Sequence, residues 1–334
     1  MTHTKESLGC EQLFASNSGL AHATDAVKEG AHIIFGRIRK LMSRLKISAI
    51  SYLNTAPLMW DFEHGGANAG RVADTDVADI DFDISYTIPS ACAEALRTGM
   101  ADIGIIPAAA YATVPDLVIL PDVAIAARHA VRSILLVSKM PSKMPSDSLS
   151  KEQWSKQVRT VALDTSSLTS VALAKILFAK WLGGARDYKP MAPDLDAMLG
   201  TCDAALLIGD PALQVNRDSY STLDLAEEWK ARTGKSFVFA FWAIRKAALA
   251  GRDGAAIAQI FKKSRDHGLS PKNLETIVQE WAPRLGLPVE TIRVYLAHNV
   301  HYYLDPPCLE GLELYYRLAE EVGALPRAPE LQFV

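Results

Sequence analysis

From Leu45 onward the chain repeats one pattern: a short apolar run, a polar turn, then a stretch with helical spacing. Leu45-Lys46-Ile47-Ser48-Ala49-Ile50 alternates as a strand does. Ser51 to Leu58 follows as a polar turn in which Pro57 is expected to open a helix, since proline suits the first helical position. Phe82–Tyr86 and Ala101–Ile106 predict further strands, the second ended by Pro107. Between them Pro89 and Ser90 open a helix to about Thr98, with Gly99 where a C-terminal cap is expected. Apolar runs at Leu117–Leu120 and Ser133–Ser138 come next. Strands separated by helices predict parallel pairing with right-handed crossovers.

The pattern changes near Lys139. Met140–Gln157, rich in Pro, Ser and Lys, reads as a loop. A second unit then begins with a strand at Thr160–Leu163, a helix at Thr169–Trp181 stopped by Gly183-Gly184, a short helix at Asp194–Leu199 and a buried strand at Ala204–Ile208. After the apolar run Phe237–Ile244, helical spacing continues through Ala255–Lys263, Pro271–Trp281, Pro288–Leu296 and Leu309–Leu318. One domain interrupted by another explains this order: residues 45–136 and 242–334 as one lobe, 137–241 as the inserted lobe. The strands Ser133–Lys139 and Phe237–Ile244 are expected to cross between them. Each lobe is then an α/β layer with a mainly parallel sheet, and the ligand cleft lies between lobes, outside the carboxyl ends of the strands.

Residues 1–44 fit none of this. They have no clear period, and Ala31–Phe35 is too short and interrupted for the apolar core of a signal peptide. We expect an N-terminal extension, with Met42 as the functional start. The net charge of −3 leaves no basic footprint for nucleic acid. No stretch approaches the roughly 18 consecutive apolar residues of a membrane span. Cys10, Cys92, Cys202 and Cys308 are widely scattered, which argues against a zinc or redox motif and suits a reducing, cytoplasmic setting. The aspartates at 74, 76, 79, 81 and 83 imitate a calcium loop, but Asp79 stands where that loop needs Gly and Ser85 where it needs Glu. Without a phosphate-binding Gly loop or an HExxH, neither a nucleotide nor a metal is indicated, and no cofactor is expected.

Six segments occur in an order that points to a family: Ile50-Ser-Tyr-Leu-Asn-Thr-Ala-Pro-Leu58, Val131-Arg-Ser-Ile-Leu-Leu136, Ser167-Leu-Thr-Ser-Val171, Leu207-Ile-Gly-Asp210, Thr233-Gly-Lys-Ser-Phe-Val-Phe-Ala-Phe-Trp242 and Tyr303-Leu-Asp-Pro-Pro-Cys-Leu-Glu-Gly311. Together they resemble the chorismate dehydratase family of the futalosine route to menaquinone, over about Lys46 to Leu318. A sister family, 1,4-dihydroxy-6-naphthoate synthase, opens with a Ser-Pro-Cys-Pro-Asn-Asp-like turn, so the turn through Asn54 favours the dehydratase. The resemblance implies the two-lobed fold of type 2 periplasmic-binding proteins and removal of water from chorismate to give 3-[(1-carboxyvinyl)oxy]benzoate. A non-catalytic solute-binding protein is the alternative from another class. The loop Pro107-Ala108-Ala109-Ala110 departs from the family, which carries serines and a Glu there.

Chorismate has two carboxylates, so its site needs anion holders, a donor for the departing hydroxyl and a base. Ser167, Thr169 and Ser170 follow a strand and begin a helix, where free N–H groups and hydroxyls converge; the plainer role is helix capping. Tyr52 and Asn54 stand on the first turn, and the Asn54 amide can serve the leaving hydroxyl. Ser133 adjoins the outward crossing, where its side chain can face the cleft, with a small packed residue nearly as good a reading; Arg132 beside it can pair with a carboxylate, but a surface cation is the commoner case. Asp210 can orient a donor, accept a proton, or cap the segment from Pro211. No residue stands out as the base, since the histidines are scattered and Glu228 reads as a packing position. The substrate's own side-chain carboxylate is our candidate.

Overall fold

The computed structural model describes residues 44–65, 80–139 and 148–334. The extension before Arg44 and the aspartates at 74, 76 and 79 lie outside the described residues. Ten strands follow in chain order: β1 (Leu45–Ile50), β2 (Phe82–Thr87), β3 (Ile103–Pro107), β4 (Leu117–Ala127), β5 (Ile134–Ser138), β6 (Thr160–Asp164), β7 (Asp187–Met191), β8 (Ala204–Ile208), β9 (Ser221–Asp224) and β10 (Phe237–Arg245). They form two five-stranded sheets, ordered β2-β1-β3-β10-β4 and β7-β6-β8-β5-β9. In the first, β1 pairs in parallel with β2 and β3, while β10 runs antiparallel between β3 and β4. The second repeats the scheme, with β6 parallel to β7 and β8, and β5 antiparallel between β8 and β9. Each sheet therefore has four strands in one direction and one reversed.

The apolar runs expected to cross between lobes each stay in one sheet. Strand β5 pairs only in the second and β10 only in the first, so the chain passes between sheets at 128–133 and returns at 234–236. Strand β4 is longer than its apolar start suggested, continuing through Pro121 and Asp122. Asp122 takes φ +67° there, and the pairing with β10 shifts register across it, between Ile119 and Ala124.

Seven longer helices cover the sheets: α1 (Pro89–Thr98), α2 (Ser148–Gln157), α3 (Thr169–Trp181), α4 (Leu225–Thr233), α5 (Gly254–Gly268), α6 (Pro271–Leu285) and α7 (Pro306–Glu321). Gly99 ends α1 at φ +76°, its N–H donating to the Leu96 carbonyl. Helix α2 occupies the second half of the segment that composition marked as a loop. Each sheet has its own core. Phe62, Phe82, Trp242 and Phe261 pack ring against ring on the first, with centroids 4.7–6.1 Å apart. Leu135, Val137, Ala162, Met198 and Leu207 fill the second.

The turn after β1 differs from the expected α-helix opened by Pro57. Leu53–Met59 is a 3₁₀ stretch with Pro57 inside it, and all seven residues are buried. Pro57 has no N–H to donate in either kind of helix, and it stands inside the short 3₁₀ stretch rather than at its start. Helix α5 clamps it: Ser264 donates to the Leu58 carbonyl at 2.9 Å and accepts from the Asp61 N–H at 3.0 Å. Gly268 lies so close that a Cβ there would sit 2.0 Å from the Pro57 oxygen.

Candidate active site

Strands β1, β3, β6 and β8 all point their carboxyl ends at one cleft between the sheets. Their continuations supply its walls: Tyr52 and Asn54 after β1, Pro107 at the end of β3, Ser167, Thr169 and Ser170 after β6, and Gly209 after β8. Ile50, Ile125, Ile134, Ile208 and Phe239 make the apolar remainder. The cavity is only about 40 Å³, well below the roughly 300–1,000 Å³ typical of small-molecule sites, because its walls stand closed on each other.

Direct bonds close the walls on each other. The Ser90 N–H donates to the Ser166 carbonyl at 3.1 Å, and the Tyr52 hydroxyl lies 3.4 Å from Ser166 Oγ. The Leu53 N–H donates to Asp210 Oδ1 at 3.0 Å. Thr169 Oγ1 donates to the Phe239 carbonyl at 3.0 Å and accepts from the Ala109 N–H at 3.1 Å. The Tyr52 ring packs against Gly209, where φ is +62° and a Cβ would come within 2.4 Å of Tyr52 Cδ2. Behind the walls, α7 donates the Tyr315 hydroxyl to the Thr169 carbonyl and the Tyr316 hydroxyl to the Ala108 carbonyl.

These contacts sort the residues singled out from sequence. Tyr52, Asn54, Ser167, Thr169 and Ser170 line the cavity; Ser133 and Asp210 stand just behind it. Ser167 does cap α3, its Oγ accepting from the Ser170 N–H at 3.1 Å. The Thr169 hydroxyl, expected to meet the ligand, is engaged as a latch between the sheets. The Ser170 hydroxyl has no partner among the described residues, which leaves it for a ligand. Ser133 is fully buried, and its Oγ accepts from the Tyr295 hydroxyl at 2.9 Å. Asp210 sits in the turn Gly209–Leu213 without capping it and reaches across to the β1 turn instead. Arg132 is exposed and outside the lining, at φ +66°, its N–H held by Asp224 at 2.6 Å. Glu228 is buried and paired with Arg232 at 2.7 Å.

The electrostatics are unusual for a site expected to take an anion. No Lys, Arg or His belongs to the cavity lining, so any anion must be held by hydroxyls, amides and helix N–H groups. Two carboxylates stand behind it. Burial raises Asp210 to about 6, against the lowering effect of the Leu53 N–H. Burial also raises Asp164, although Ser166 and the Ile208 N–H donate to it. Sequence reasoning missed Asp164, Ser166 and Tyr295. The first two had a signal, Asp-x-Ser at the end of a predicted strand; Tyr295 had none, reading as one more apolar helical position.

Among the described residues, His301, Asp305 and Cys308 gather metal-ligand atoms within 4.8 Å. Local structure accounts for them. Asp305 caps α7 through the Cys308 N–H at 3.1 Å and pairs with Arg128 at 2.6 Å. Burial would raise the Asp305 carboxyl, but Arg128, Cys308 and His301 together hold it at about 2. Burial and Asp305 push the Cys308 thiol up to about 12, so it is not a ready thiolate ligand.

The sequence model described as menaquinone biosynthesis matches residues 45–321, which spans both sheets and the whole cleft. The chain belongs to this family. Among curated proteins, chorismate dehydratase of Thermus thermophilus is 29% identical over 270 residues, covering 74% of this chain and 89% of the relative. Solved structures show the fold. A protein of Archaeoglobus fulgidus superposes with a TM-score of 0.59 at 15% identity, covering 85% of this chain and 99% of its own. The periplasmic aliphatic sulphonate binding protein of Escherichia coli gives 0.58 at 17% identity, covering 85% and 94%. A Candida albicans protein described as having the generic periplasmic binding protein fold gives 0.60 at 11% identity, covering 86% and 92%. The two-sheet arrangement is thus the periplasmic-binding-protein fold.

Proposed function

We propose that this chain is a chorismate dehydratase, removing water from chorismate to give 3-[(1-carboxyvinyl)oxy]benzoate for menaquinone biosynthesis by the futalosine route. The observation that carries this reading is the Asn54 turn, the family's first motif, set at the floor of a cleft whose polar groups are neutral donors. In chorismate the ring carbon bearing the enolpyruvyl ether loses a proton, and the neighbouring carbon loses hydroxide. Conjugation to the ring carboxylate acidifies that proton, and the product is aromatic, so the step needs positioning more than a strong base. The substrate's own side-chain carboxylate takes the proton. The Asn54 amide donates to the departing hydroxyl, where negative charge develops.

The start of α3 and the Ser170 hydroxyl hold a carboxylate, an arrangement worth about 0.3–1 kcal/mol from the helix dipole and roughly 2 when partly buried. Asp210, near neutrality in its titration, fixes the Leu53 N–H and with it the angle of the Asn54 turn. The two sheets act as lobes that part to admit substrate, exchanging the bonds at Thr169 and Ser166 for contacts to the ligand. The reaction needs neither metal nor nucleotide. Its setting is the cytoplasm, consistent with Cys92, Cys202 and Cys308 buried as free thiols.

The test is incubation of the purified full chain with chorismate in the presence of a chelator, followed by mass analysis. Loss of one water per chorismate supports the reading. Chorismate bound but recovered intact would replace it with a solute-binding role.

A further inference from the structure

Ser166, in the turn after β6, is 2% exposed and has its hydroxyl proton already committed. The partner is Asp164, fully buried, whose two carboxyl oxygens both face N–H groups. Oδ1 accepts from the Ser166 N–H at 2.8 Å and Oδ2 from the Ile208 N–H at 3.3 Å. Ser166 Oγ lies 2.6 Å from the same Oδ1 and donates to it. A hydroxyl has one proton, so Ser166 Oγ has only lone pairs left to offer. The Ser166 carbonyl is an acceptor as well. Both oxygens meet donors from the first sheet's side of the cleft. The Tyr52 hydroxyl lies 3.4 Å from Oγ and, with the serine proton committed, is the donor of that pair. The Ser90 N–H donates to the carbonyl at 3.1 Å. Any ligand group that arrives at Ser166 therefore meets lone pairs: a carboxylate is repelled there and a donor is taken.

The chorismate dianion has a single hydrogen-bond donor, its ring hydroxyl; its carboxylates and ether oxygen only accept. That hydroxyl is also the group the reaction removes. We propose that Ser166 is the acceptor for the substrate's ring hydroxyl, with Asp164 the positioning residue that fixes its polarity and the Tyr52 hydroxyl a placeholder that the substrate displaces. The inference rests on the dehydratase reading and says which group of the substrate takes which bond as the lobes part. A cavity of about 40 Å³ is too small for chorismate, so bonds between the walls must give way. The Tyr52 bond is the one a substrate hydroxyl replaces like for like, one O–H donor for another on the same oxygen. Tyr52 directly precedes the stretch that carries Asn54, so a hydroxyl taking its place at Ser166 arrives beside the Asn54 turn. Its proton then goes to Ser166 and its lone pairs face the Asn54 amide. Ser166 and Ser170 divide the substrate by polarity, the first taking the hydroxyl and the second a carboxylate.

The reaction product supplies the control, because 3-[(1-carboxyvinyl)oxy]benzoate keeps both carboxylates and has no hydroxyl. KM for chorismate and Ki for the product are measured on the wild type and variants. Ser166→Ala should raise KM about 3–10-fold, the loss of one neutral hydrogen bond, and leave the product Ki within about twofold. A rise in both constants, or in neither, would overturn the proposal. Asp164→Asn presents one acceptor oxygen where two are used, so the Ser166 hydroxyl is no longer held; KM should rise with the product Ki unchanged, and equal losses for the two ligands would overturn the positioning role. Tyr52→Phe removes the placeholder, and KM should stay level or fall by up to about threefold. A raised KM would make the Tyr52 hydroxyl itself the substrate contact and overturn the exchange. If Ser166→Ala fails to fold, the wild type is tested with the chorismate analogue whose ring hydroxyl is replaced by hydrogen. It should bind about 3–10-fold more weakly than chorismate, and equal binding overturns the proposal. A wild type that binds chorismate and returns it intact overturns the dehydratase reading alone; dissociation constants then replace KM, and the same selectivity at Ser166 decides this inference.

Discussion

Replacing Asp210 by Asn should make the protein more stable at neutral pH while leaving it nearly unchanged in acid. Burial lifts this carboxyl from 3.8 to about 6, with the Leu53 N–H opposing the rise. The folded state therefore binds the proton more tightly than the unfolded chain. Stability from this group is fully present below about pH 4 and is lost as pH rises through about 6. At 1.36 kcal/mol per pH unit the displacement corresponds to about 3 kcal/mol above pH 6, an upper value because the group is partly exposed. Asn is nearly isosteric, and its oxygen can still accept from Leu53 at the position of Oδ1. The variant should thus gain about 2 kcal/mol over the wild type between pH 4 and pH 7. Urea unfolding of both proteins at several pH values measures this directly, and the slope with denaturant should stay the same. A stability difference that does not change with pH would show that Asp210 is not held in a desolvated site. A variant that loses stability as pH rises would reverse the sign of the argument.

Thr169→Val leaves the Phe239 carbonyl and the Ala109 N–H without their partner and should cost about 1–3 kcal/mol in unfolding experiments; wild-type stability would show that water replaces the latch. Ser170→Ala, by contrast, should leave stability alone and raise KM for chorismate, and an unchanged KM would remove Ser170 from the site. Gly209→Ala forces a side chain to φ +62° and drives Tyr52 off the cleft wall, costing about 1–2 kcal/mol from the backbone and about 10²-fold in kcat/KM from misplacement; full activity would mean the Tyr52–Gly209 contact is incidental. Asn54→Ala should weaken binding of an unreactive chorismate analogue far less than it slows turnover, because the amide acts mainly in the transition state; equal losses would make Asn54 a binding residue only.

The parts legible in the sequence are those whose signal is local. Strands β1, β3, β6 and β8 are continuous or alternating apolar runs, and the segments that follow them wall the cleft. The parts that escaped are polar or depend on distant partners. Strand β7, Asp187-Tyr-Lys-Pro-Met191, lies at a sheet edge, where a proline is tolerated and few side chains need to be apolar. Strand β9 is four residues long at the opposite edge. Helix α2, Ser148–Gln157, carries too few apolar residues to show a period. Within the site, Ser167 could be read as a cap or a ligand; its Oγ takes the Ser170 N–H as a cap does, and the residue also lines the cleft. Thr169 looked the same in sequence, yet its partners are 60 and 70 residues away, and nothing near it in the chain announces a latch. Tyr295 was invisible for the same reason, its partner Ser133 being 162 residues distant.

The clamp on the β1 turn has a consequence for how the protein is made. Every residue that lines the cleft lies at or before Ala240, but Ser264 and Gly268, which hold the turn, and Tyr295 come later. The Ser264–Leu58 bond spans 206 residues. At a synthesis rate of roughly 5–20 residues per second, that interval lasts roughly 10–40 s. During it the buried surface of Leu53–Met59 lacks its partner helix, and the growing chain is open to wrong associations at the first wall of the cleft. A chain stopped short of Ser264 would contain the complete lining of the cleft, with its first turn unsupported.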